Sequence, residues 1–98
     1  MDKPKFTPEP WEAPNLHHHA LYLPIYGPDG KIIAQVPCKD GHDEEAEANA
    51  VLMKTAPKMY SELETLHKFL VQNNYEFAAS CVGNILREAR GECEDQND

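Results

Sequence analysis

Thirteen residues from Glu45 to Pro57, preceded by Asp43 and Glu44, read EAEANAVLMKTAP and constrain this chain more than any other stretch. Asp43 is placed to cap a helix, because its short carboxylate reaches the first free backbone N–H groups. Glu44, Glu45 and Glu47 then fall in the first turn, where the helix dipole favours negative charge. Ala46, Ala50 and Met53 repeat at helical spacing, and Val51 and Leu52 widen the stripe. Pro57 lacks a backbone donor and suits the first turn of a new helix, which predicts a joint at Thr55 or Ala56.

Upstream, His18 to Tyr26 and Lys31 to Val36 are rich in aromatic and β-branched residues, and a β-hairpin is expected over about residues 18–37. Gly27-Pro28-Asp29-Gly30 lies between them and predicts the turn of a β-hairpin: proline presets φ, Asp29 can bond its own backbone, and Gly30 accepts a positive φ. Pro24 cannot donate to a ladder, so it belongs at an outer edge or a bulge. A lone two-stranded ribbon is marginal in water and needs helices or a second ribbon to lie on.

Downstream, Met59, Leu63, Leu66 and Leu70 form one apolar stripe of a second helix, with Tyr60, His67 and Val71 alongside. Asn73 and Glu76 have the spacing of a capping box for a third helix, in which Ala78, Cys81, Val82, Ile85, Leu86 and Ala89 repeat. Arg87 and Arg90 sit near its end, and Gly91 supplies the stop. The expectation is an α+β fold: a hairpin packed on three helices over residues 16–91, with a proline-rich arm at 1–15 and an acidic tail at 92–98. So small a domain buries only about 60% of the surface its unfolded chain exposes, and its stripes ask for more cover than one ribbon supplies; a homodimer is expected.

Nine Lys and Arg against 17 Asp and Glu give a formal charge of -8, which repels nucleic-acid phosphates and anionic membranes. No apolar run approaches the ~20 residues that span a bilayer, and no basic, apolar leader opens the chain, so the reading is soluble and cytoplasmic. Three cysteines, an odd number without ribbon spacing, fit reduced thiols. His17 and His19 could share a metal with His42 or Cys38, yet the spacing is generic and a strand start is the plainer reading. Cys81 reads as a small core residue. With no phosphate-cradling loop, zinc helix or nucleophile turn, the chain is expected to be no enzyme and to carry no cofactor.

Three readings of function follow. In the first, Trp11, Tyr60, His67, Glu44, Glu45 and Glu47 form a surface that binds a protein partner. In the second, Asn49, Arg87 and Arg90 join Tyr60 and His67 around a small nucleotide or other ligand between subunits. In the third, the acidic start of the first helix mimics DNA.

The segment from Glu45 to Pro57, after a hairpin with an Asp-Gly turn, resembles one common in small uncharacterised phage and prophage proteins, where it runs ANARLIAAAPELLEAL. Asn49, Ala50, Leu52, Ala56, Pro57 and Leu63 match that pattern. Val51 stands where arginine is usual, and Lys54 and Thr55 replace alanines. The likeness covers Tyr22 to Leu66. It implies an accessory product of a temperate phage, acting in the bacterial host's cytoplasm on a host protein, in host interaction or counter-defence.

Overall fold

The computed structural model describes residues 4–14, 21–39 and 43–92. Strands β1 (Tyr22–Tyr26) and β2 (Ile32–Pro37) pair antiparallel, and helices α1 (Glu44–Gln72) and α2 (Glu76–Ala89) follow. Among the described residues the fold is therefore α+β, a hairpin and two helices. Contacts divide the chain into one unit of Thr7–Lys58 and another formed by Met1–Phe6 with Met59–Asp98.

In the first unit the turn closes as its residues require. Gly30 has φ +84°, its N–H reaches the Gly27 carbonyl at 3.0 Å, and Asp29 Oδ1 accepts from the Lys31 N–H at 3.1 Å. Register runs from Tyr22 opposite Pro37 to Ile25 opposite Ala34, then slips so that Tyr26 faces Ile32. This bulge leaves Ile33 as the extra residue. Pro24, opposite Gln35, sits in a two-stranded sheet in which every strand is an edge.

Alternation along β1 turns Leu23 and Ile25 inward, where both are buried with Val36, Cys38, Ala46 and Ala50. The alanines let the helix backbone approach the ribbon closely. The proline-rich segment contributes as well: Ala13 is buried, Trp11 packs on the cluster, and Glu12 exchanges two backbone hydrogen bonds with Tyr26 at 2.8 and 2.9 Å.

Asp43 caps α1, accepting from the Ala46 N–H at 3.1 Å through Oδ1 and from the Lys39 N–H at 2.9 Å through Oδ2. Those two donors, Lys39 first, hold its carboxyl below the ordinary carboxylate pKa. A carboxyl whose pKa falls on folding adds stability that is whole above its unfolded value of about 3.9 and is lost as pH drops through the folded value. The Asp43→Asn protein is expected to lose less stability than the parent between about pH 5 and 3. Parallel urea titrations at the two pH values check this, and identical acid slopes would refute it.

The expected joint at Thr55 or Ala56 does not form: α1 runs unbroken through Pro57, so the three helices of the sequence reading are two. Proline removes one ladder bond and costs about 3 kcal/mol inside a helix. Here the ring is buried, and helix formers such as Ala, Leu, Met, Lys and Glu dominate on both sides. The capping box at Asn73 is also not made. Asn74, at φ +64°, ends α1 with Tyr75 N–H bonded to the Leu70 carbonyl and Asn74 N–H to that of Val71, and the Asn73 amide donates to Phe69 O at 2.8 Å. Tyr75 is the N-cap of α2, without a side-chain bond. Gly91 stops α2 as its position predicts, at φ +81°, with Glu92 N–H on the Arg87 carbonyl.

In the second unit α2 folds back along the C-terminal part of α1. Tyr60 meets Arg90, and the absent side chain of Gly83 admits the His67 ring: a Cβ there would lie 3.2 Å from Nε2. Among the described residues, Tyr60, Ala79 and Leu86 are the buried apolar residues of this unit.

Candidate interaction surfaces

Tyr60 and Arg90, grouped around a small ligand in the second of the three readings, are brought together, but onto each other. Arg90 Nη1 donates to the Tyr60 hydroxyl at 2.9 Å, while its Nε and Nη2 form a fork onto the Glu92 carboxylate at 3.2 Å each. Glu92, then Tyr60, raise the Arg90 pKa, and the same fork lowers that of Glu92. The Tyr60 ring stands edge-on to Phe6, 5.0 Å between centroids. Tyr60 is therefore a buried tie, and Arg90 is engaged with residues of its own chain.

His67 and Arg87 line a groove of about 460 Å³ between α1 and α2, with Asn74, Glu76, Ser80 and Asn84. Arg87 Nη2 donates to Asn84 Oδ1. The lining mixes both charge signs. Asn49 is exposed on α1 within the first unit.

Trp11 is half-buried, and its indole N–H donates to the Thr7 carbonyl at 2.8 Å. Beside it, Lys54 and Lys58 line a hollow of about 290 Å³ with Glu9 and Pro57. Glu44 and Glu45 are exposed at the start of α1, and Glu47 is half-buried.

His17, His19 and His42 lie outside the described residues. Cys38 is buried: desolvation raises its thiol pKa, and the carboxylates of Asp43 and Glu47 add to the shift. Among the described residues no group of three or more His, Cys, Asp or Glu could hold a metal ion. Cys81, expected in the core, is exposed, because α2 turns Ala79 and Leu86 inward and leaves Cys81 on its outer flank. No helix among the described residues is long and apolar enough to cross a membrane.

The sequence reading did not single out the aromatic tip. Phe69 and Tyr75 stack at 6.5 Å where α1 turns into α2, both more than half exposed, and Phe77 follows at 83% exposure. The signal was present: Phe69 and Phe77 fall off the apolar stripes of their helices, where packing does not call for an aromatic ring. No protein-family model matches the chain, and no curated protein or solved structure matches it.

Proposed function

We propose that this chain is a non-catalytic protein-binding module, a phage or prophage accessory protein that engages a host protein in the bacterial cytoplasm and works as a homodimer. The aromatic tip carries the reading. Exposed Tyr and Phe rings offer large contact area at low entropic cost, and interface energy concentrates in such anchors. The charge of -8 favours a partner with a basic patch and speeds encounter with it. The ligand-pocket alternative is weaker, because Tyr60 and Arg90 bind each other and so do not line an open site.

Tagged wild-type chain incubated with lysates of several bacterial strains is expected to retain one stoichiometric partner. Replacing Tyr75 and Phe77 by alanine should weaken that retention by about thirtyfold or more, the scale of losing a hot spot worth ~2 kcal/mol. Retention of no partner from any strain, or equal retention by the double variant, refutes the reading.

A further inference from the structure

Two helices of the second unit carry apolar residues at the same four-three-four spacing: Met59, Leu63, Leu66 and Leu70 on α1, and Ala78, Val82, Ile85 and Ala89 on α2. None of the eight is buried; Met59, Leu66 and Ile85 are 45%, 43% and 51% exposed. Helical periodicity sets the α2 residues on the flank opposite Ser80, Asn84 and Arg87, which line the groove described above. The two flanks of α2 thus differ in character, while on α1 Leu70 borders the groove as well.

Register joins the two stripes into one face. Tyr60 opposite Arg90 and His67 opposite Gly83 are equally spaced pairs along antiparallel helices. Extending that register brings Met59 near the level of Ala89, Leu63 near Ile85, Leu66 near Val82 and Leu70 near Ala78, each within about two helical rises, or ~3 Å. The outer levels pair a long side chain with alanine, and the central two pair branched residues. Such layers are one half of a four-helix bundle core.

We propose that a second copy of this chain covers this face, its two helices completing a four-helix bundle. The proposal rests on the homodimer reading above and assigns its interface. A second copy presents the same repeat on two antiparallel helices of equal length, so its layers match these in number and spacing. A two-fold axis makes the contact self-complementary and closed. Covering the layers and their rim would bury on the order of 600 Å² of each copy, which reaches the ~1,200 Å² total at which standard-size interfaces begin. No charged residue occupies any of the eight positions, so association does not desolvate an ion. Two chains of charge -8 repel one another through solvent, and salt screens that repulsion.

Sedimentation of the full chain at about 100 µM, ample for a micromolar association, is the test. The expected mass is that of two 11.1 kDa chains, held or tightened as salt rises. Leu66→Asp and Ile85→Asp, at positions already about half exposed, should each give single chains with unchanged helical circular dichroism. Leu66→Ser and Ile85→Ser should weaken association at least tenfold with less disturbance, and Ser80→Asp on the opposite flank should leave it intact. A single-chain mass for the wild type overturns both the bundle and the homodimer. A dimer that survives the Leu66 and Ile85 substitutions, or that loosens as salt rises, overturns this face alone.

Discussion

Replacing Ile25 by alanine is expected to remove about 2–5 kcal/mol of stability. Ile25 is 0% exposed and packs in the cluster with Leu23, Val36, Ala46 and Ala50. Truncation forfeits the transfer free energy of the removed carbons and leaves a cavity. Collapse around that cavity is limited, because the facing residues Ala46 and Ala50 have no side chain to swing into it. Small domains hold only about 5 kcal/mol in total at the low end, so the variant would keep about 0–3 kcal/mol and should unfold at much lower urea. Ile32, on the partner strand and 51% exposed, supplies the control: Ile32→Ala should fall within about 0.5 kcal/mol of the parent. Urea midpoints read both, and matching midpoints for the two variants would contradict the burial pattern.

That asymmetry between two isoleucines bears on how far the fold is legible in the residues. The turn Gly27–Gly30 and the alternation Leu23, Ile25 are local signals, and they place the hairpin correctly. The bulge beside Tyr26 is hidden, since Ile32 and Ile33 are both apolar and either could face inward. Pro57 misleads for an energetic reason. A proline penalty of about 3 kcal/mol looks decisive in isolation, but helix formers on both sides and burial of the ring outweigh it. Asn73 misleads for another: the same residue type serves an N-cap or a helix end, and the left-handed Asn74 decides between them. The wide apolar stripe of α2 hides which residues turn inward: Cys81 reads as core, yet Ala79 takes the inward position. Contacts between Tyr60 and Arg90 span the whole helical hairpin, and no periodicity within either helix reports such a pair.

Tyr60→Ala is the second large effect, expected to cost about 3–5 kcal/mol, the range for truncating a buried aromatic side chain. In the helical unit Tyr60 shares the buried apolar set with only Ala79 and Leu86 among the described residues, so its ring supplies a large part of that core. Two separate contacts are lost: the edge-on packing against Phe6 and the hydroxyl that accepts from Arg90. Tyr60→Phe keeps the first and removes the second, and it should recover most of the stability, because the ring rather than the hydroxyl fills the core. The consequence reaches the proposed bundle. Layers from two helices act as one face only while α2 is held in register along α1, and Tyr60 to Arg90 is one of the contacts that sets this register. Tyr60→Ala should therefore weaken self-association although Tyr60 lies outside the eight layer positions, whereas Tyr60→Phe should keep the wild-type mass. Thermal melts together with sedimentation separate these outcomes. A Tyr60→Ala chain as stable as its parent would show that the helical unit is held by something other than this tie.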